Sequence, residues 1–153
     1  MKFDVADHNG GLSVISADVY CSVIDPIKKI DFEMKKYSVP ELKKILVKKI
    51  SENGWSGPFR VDNRTHITIS SKKGDVGLCI QLGNVSRIYA DLLKLQVLYN
   101  KGIIKAGMII VASDYSAKKM SGNMASFERL EREYSLYEEI ITIPTVVIGF
   151  REE

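Results

Sequence analysis

The sequence predicts an α/β sandwich, a mixed central sheet with helices on both faces. Three observations carry this. The predicted elements run helix, antiparallel hairpin, helix, strand, helix, strand, the order expected of a layered α/β domain. Residues 106–113 are almost wholly apolar, as strands buried on both faces of a sheet are. The chain has 153 residues, 45% of them apolar and 27% charged, enough for one domain with its own core. Residues 1–153 are therefore read as a single domain, with 1–38 as its less defined lead-in.

Residues 1–11 include Asp7, His8, Asn9, Gly10 and Gly11, a loose lead-in or turn by composition. Residues 12–24 are apolar-rich, but Val14, Ile15, Val19, Val23 and Ile24 fit neither period cleanly; a helix is assigned from Ala17. After Ser38 the pattern sharpens. Ser38 can cap, Pro40 suits the first helical turn, and Leu42, Ile45, Leu46 and Ile50 recur at helical spacing. Lys43, Lys44, Lys48 and Lys49 flank that stripe, Asn53-Gly54 ends the helix, and Trp55 turns back onto the core.

Residues 65–71 alternate as a strand, with Ile67 and Ile69 on one face and His66, Thr68 and Ser70 on the other. Lys72-Lys73-Gly74-Asp75 reads as the turn. In the return strand Val76, Leu78, Ile80 and Leu82 share an apolar face, while Gly77, Cys79 and Gln81 share a polar one with Asp75. A helix over 84–100 follows, with Ile88, Leu92, Leu95 and Leu98 or Tyr99 facing the core and Gly102 closing it. Beyond the 106–113 strand, a helix over 122–139 places Met124, Phe127, Leu130 and Tyr134 on one stripe. The last strand covers 141–150, edged by Pro144.

The net charge of +3 is too mild to demand a polyanionic partner, but the charge is unevenly placed. Residues 28–49 carry eight basic and three acidic side chains, and residues 51–105 eight and four; both ends of the chain are net acidic. Two cysteines, Cys21 and Cys79, imply neither a disulfide framework nor a zinc site. A reducing cytoplasm is the simplest location, and no signal peptide or membrane span is expected.

The stretch from Gly54-Trp55 through Cys79-Ile80-Gln81 and Gly107-Met108-Ile109-Ile110-Val111 to Ile143-Pro144-Thr145-Val146-Val147-Ile148-Gly149-Phe150 resembles BglII- and BamHI-like type II restriction endonucleases, over residues 40–150. The resemblance implies the restriction-endonuclease-like, PD-(D/E)XK nuclease fold. It also implies an Asp on the first hairpin strand and Glu-x-Gln or Glu-x-Glu on the second, holding Mg²⁺ for phosphodiester hydrolysis. Carried over, the Asp falls on Ser70, the Glu on Cys79 and the last position on Gln81. Only Gln81 matches, and a thiol is a poor ligand for Mg²⁺. The catalytic positions are thus degenerate, no metal site stands out, and Cys79 reads as a small buried filler.

Candidate substitutes for the missing carboxylates are Asp62, Asp75 and Glu52. Asp75 lies about 13 Å from Cys79 along an extended strand, at the wrong end for a compact site. Asp62 and Asp75 also suit turns. A Cys79–His66 pair across the hairpin would lack a third orienting group. For DNA contact the candidates are Arg60 and Arg64 before the first strand, Lys72 and Lys73 at the turn, and Arg87, since such charges neutralise phosphates.

The implied function is a binding protein on this endonuclease scaffold, catalytically inactive and needing no cofactor. Its ligand is DNA, or a protein that it inhibits or neutralises through the acidic 122–139 helix, where Glu128-Arg132 is available as an ion pair. The alternative is an active Mg²⁺-dependent DNA endonuclease with relocated carboxylates. The chain is short for an enzyme that reads base edges with added loops, which favours non-specific or protein-directed binding. Family members act as symmetric dimers, so a homodimer is implied as well.

Overall fold

In the computed structural model, which describes residues 1–31, 33 and 36–152, the chain forms a five-stranded mixed sheet with helices on both faces. Lys35, one of the basic residues of the 28–49 segment, lies outside the described residues. The strand order is β1-β7-β6-β5-β4. Strands β5 (Val76–Ile80), β6 (Ala106–Ala112) and β7 (Thr145–Arg151) are parallel, and β1 (Lys2–His8) and β4 (Ser71–Lys73) close the two edges antiparallel.

The first correction concerns residues 1–11, which are not a loose lead-in. Lys2–His8 pairs along its whole length with β7, its side chains alternating between exposed and half-buried, as an edge strand's do. Asn9 at φ 54° then turns the chain, its amide Nδ2 donating to the carbonyls of Ile141 and Ile143, into the short helix α1 (Gly11–Val14).

Helix α2 (Ala17–Lys28) begins at the expected residue, capped by Ser16, and α3 (Val39–Ser51) has a full capping box between Ser38 and Glu41. The expected stripe holds: Leu42, Leu46 and Ile50 are buried, and Trp55 behind them donates its indole N–H to Ser22 Oγ at 2.8 Å.

The hairpin is more broken than its alternation suggested. A short strand β2 (Phe59–Arg60) pairs with β3 (Thr68–Ile69), and Ser70 interrupts the passage to β4. Ser70 Oγ accepts the Ile80 N–H at 2.9 Å, a side chain standing in for a ladder bond. Lys72 and Lys73 belong to the strand, so the turn is Gly74-Asp75, with Gly74 at φ 57°.

The expected polar face of β5 is a second correction. Val76, Leu78, Ile80 and Leu82 join the core under α2 and α3 as expected. On the opposite face Cys79 enters a second core with Ile69, Ile88, Leu92 and Leu95. The reason is α4 (Arg87–Asn100), which covers that face; a strand sandwiched between helices has no solvated side.

Strand β6 is fully buried, as its composition demands. The single helix expected over 122–139 is instead a turn at Gly122-Asn123 with bridge residues Met124 and Ser126, then α6 (Phe127–Tyr134) and a 3₁₀ turn at Ser135–Tyr137, with a separate helix α5 (Asp114–Met120) before them. Ser113 caps α5, and extended Ser121 ends it. Met124 therefore precedes α6, bridging to Asn84. Pro144 lies just before β7. Among the described residues, no helix is long and apolar enough to cross a membrane.

Candidate functional site

A cleft of about 530 Å³ opens beside the end of β5, between α3 and α4. Its polar lining comes from Lys43 on α3, Thr68, Ser70, Gln81, and Arg87, Asp91 and Lys94 on α4. The positions 87, 91 and 94 recur at helical spacing and form one stripe, next to the Ile88, Leu92 and Leu95 stripe that faces the core. That spacing is the signal in the sequence for Asp91 and Lys94, beside the core stripe of the same helix.

Asp91 is the centre of the cleft's hydrogen bonding. Its side chain is only 8% exposed, and it receives Gln81 Nε2–H at 2.5 Å and Lys94 Nζ at 3.0 Å. Gln81 is fixed at its other end too, its Oε1 accepting the Gly83 N–H at 2.9 Å. Such pairing is required, because a buried carboxylate without partners would cost several kcal/mol.

The structure thus brings Ser70, Gln81 and Arg87 to the cleft and leaves the other candidates elsewhere. Cys79 is wholly buried, and burial pushes its thiol well above its ordinary pKa, with the nearby Asp91 carboxylate adding to the effect. His66 is exposed on the preceding loop, so a Cys79–His66 pair does not form. Asp62 lies in a separate hollow with Arg60, Arg64 and Lys101. Hydrogen bonds from Arg64, then from Lys101, hold its carboxyl well below the usual carboxylate range. Asp75 sits at the hairpin turn, 3.5 Å from Lys105, and Glu52 follows α3 in a third hollow with Asp25 and Lys29. The three carboxylates do not converge.

The basic group is divided in the same way. Arg64 is committed to Asp62, and Lys73 Nζ donates to the Asn53 carbonyl at 2.7 Å. Lys72 bonds the Gly74 carbonyl and lies 5.4 Å from the Phe59 ring centre. Most of the acidic charge of α6 is spent internally. Glu128 accepts the Asp114 N–H, Glu131 meets His8, and Glu133 pairs with Arg129. The expected Glu128–Arg132 pair is replaced by Arg132 with Asp114 at 3.8 Å.

The family model for restriction endonuclease BglII/BglIII matches residues 3–150. The chain belongs to that family. Restriction endonuclease BglII in complex with a DNA 16-mer superposes with a TM-score of 0.87 at 13% identity, over all of this chain and 79% of that one. Free BglII gives 0.73 at 16% identity, over 100% and 81%. No curated protein matches in sequence.

Within the BglII family pattern, the oxygen donors here do not fit a hard divalent cation. Mg²⁺ favours carboxylate oxygens in an octahedral set. The cleft offers one carboxylate, and Lys94 and Gln81 already occupy it; Ser70 Oγ and Gln81 Oε1 each accept a backbone N–H. Among the described residues, no cluster of three or more His, Cys, Asp or Glu side chains is placed to hold a metal.

Proposed function

We propose that this chain is a DNA-binding protein built on the BglII scaffold, without Mg²⁺-dependent phosphodiester hydrolysis. The observation that carries the reading is the pair Cys79 and Asp91. At the position where the family pattern has a Glu stands a wholly buried thiol, and the one carboxylate in the cleft is bound to a lysine. Three cations, Lys43, Arg87 and Lys94, face that single carboxylate, an excess of positive charge suited to a phosphate backbone. The likeness in fold to a BglII–DNA complex supports DNA as the ligand. Asp62, Asp75 and Glu52 lend no support to a relocated metal site, because each lies in a different place with cations beside it.

The test combines mobility shift and cleavage. Duplex DNA is expected to be retarded at low salt and released as salt rises, while supercoiled plasmid stays intact with Mg²⁺ or Mn²⁺. No retardation at low salt overturns DNA binding. A metal-dependent cut that Gln81→Ala abolishes overturns the loss of hydrolysis. The homodimer that the family implies belongs to the same reading, and sedimentation equilibrium measures it directly.

A further inference from the structure

We infer that Lys94, held in place by Asp91, is a built-in cation that takes a phosphate-group oxygen in the cleft, in the role the family pattern gives to a divalent metal ion. The inference rests on the DNA-binding reading, in which that phosphate is a backbone phosphodiester, and names the contact within it.

The argument starts from the buried carboxylate. Asp91 is fixed by two donors, Gln81 at 2.5 Å and Lys94 at 3.0 Å, and Gln81 is itself fixed by Gly83. Four of the cleft's polar groups are therefore locked before any ligand arrives, counting Ser70 on the Ile80 N–H. Preorganisation of this kind lowers the ordering cost of binding. Lys94 differs from Asp91 in exposure: its side chain is 28% exposed where that of Asp91 is 8% exposed. An ammonium has three N–H donors, and a single protein acceptor leaves donors for a second oxygen. Among the described residues, no ion pair engages Lys43 or Arg87, both exposed at the cleft, so an entering anion meets two further uncompensated cations.

Carboxylate and cation are thus both present, as in a metal-dependent nuclease, but the cation is covalently part of the chain. An ammonium can neutralise a phosphate oxygen and position it. It does not generate a metal-bound hydroxide, so the arrangement suits binding and supplies no nucleophile. The plainer role for Lys94 is to neutralise Asp91, and the two roles are separable by experiment.

The experiment measures anisotropy of a labelled duplex against salt with the full chain, in EDTA and then with Mg²⁺. Wild-type binding is expected to survive EDTA. Lys94→Gln is expected to weaken binding about tenfold and to lower the salt slope by about 0.9, the loss of one phosphate contact, while Lys94→Arg keeps both. Because Lys94→Gln leaves the Asp91 carboxylate without its cation, held by Gln81 alone, the double variant Asp91→Asn/Lys94→Gln, neutral at both positions, is measured too and is expected to show the same loss. A double variant that binds with wild-type affinity and slope overturns the inference, and so does wild-type binding that EDTA abolishes. If the wild-type chain binds no duplex, the DNA reading fails and inorganic phosphate decides the cleft alone. A melting temperature that phosphate raises in wild type and not in Lys94→Gln upholds the site; equal responses, or none, overturn it.

Discussion

His8 on β1 and Glu131 on α6, 123 residues apart, are joined by a hydrogen bond of 2.8 Å, and the His8 ring stacks on Tyr134 with centroids 3.7 Å and planes 11° apart. One side chain thus ties the first strand to the last long helix.

The first prediction follows from that contact. Both side chains are less than a third exposed, so His8→Ala removes a sheltered hydrogen bond and an aromatic stack together. The expected cost is about 1–3 kcal/mol, read from urea denaturation with an unchanged m-value. A variant as stable as wild type would mean that the ladder to β7 and the packing of Phe3 and Val5 hold β1 without the His8 contacts.

Asp62 provides a pH dependence with a definite sign. Arg64 and Lys101 hold its folded-state pKa below the unfolded value, so between the two the folded state binds fewer protons. Its stabilisation is therefore complete above the usual carboxylate range and is lost as pH falls through the lower, folded value. Asp62→Asn lacks this contribution, so the gap in melting temperature between wild type and variant should narrow on acidification. A gap that is constant from neutral to strongly acid solution contradicts the assignment. Added salt should shrink it as well, since Arg64 is 87% exposed.

Gly11 tests the correction made at the chain's start. A Cβ there would lie 2.6 Å, 2.7 Å and 2.9 Å from the backbone C, O and N of Thr145, atoms of β7 that cannot move aside cheaply. Gly11→Ala is expected to destabilise by about 1–3 kcal/mol, as overpacking does, whereas Gly57→Ala, with open space around it, should be nearly neutral. Thermal melts of the two variants make the comparison.

These residues also show what could be read from the sequence. The α3 stripe, its cap and the all-apolar β6 are local patterns, and each formed where its period placed it. In Lys2–His8 the charged residues and the following Gly10-Gly11 pair outweigh a weak alternation, and only pairing with distant β7 makes it a strand. Cys79 is the small buried filler its residue type suggests, but whether the face it shares with Gln81 meets solvent or α4 is a tertiary fact. The cleft was half legible: Ser70, Gln81 and Arg87 line it, while Asp91 and Lys94 stood out only as a polar stripe on a helix read for its core. Arg60, Arg64, Lys72 and Lys73 are close in sequence, but Arg64, Lys72 and Lys73 take different partners in the fold.

Cys79 yields the last prediction, in two parts. Burial and the Asp91 carboxylate keep its thiol protonated, and attack on a disulfide reagent needs a thiolate with access. In the native chain, Ellman's reagent should therefore titrate exposed Cys21 quickly and Cys79 only after unfolding in urea. Fast reaction of both would mean that the cleft opens down to β5. The second part introduces the carboxylate that the family pattern has there. A Glu at position 79 enters a second core built from Ile69, Ile88 and Leu92, where burial and the charge of Asp91 oppose a new carboxylate more than the neighbouring Lys94 favours it. Cys79→Glu should thus lose about 3 kcal/mol or more near neutral pH, and should recover part of it on acidification as the new carboxyl protonates. Cys79→Gln, of similar size and uncharged, separates charge from volume. If both variants lose the same stability at every pH, crowding rather than desolvation of charge is what excludes the family's acid from this strand.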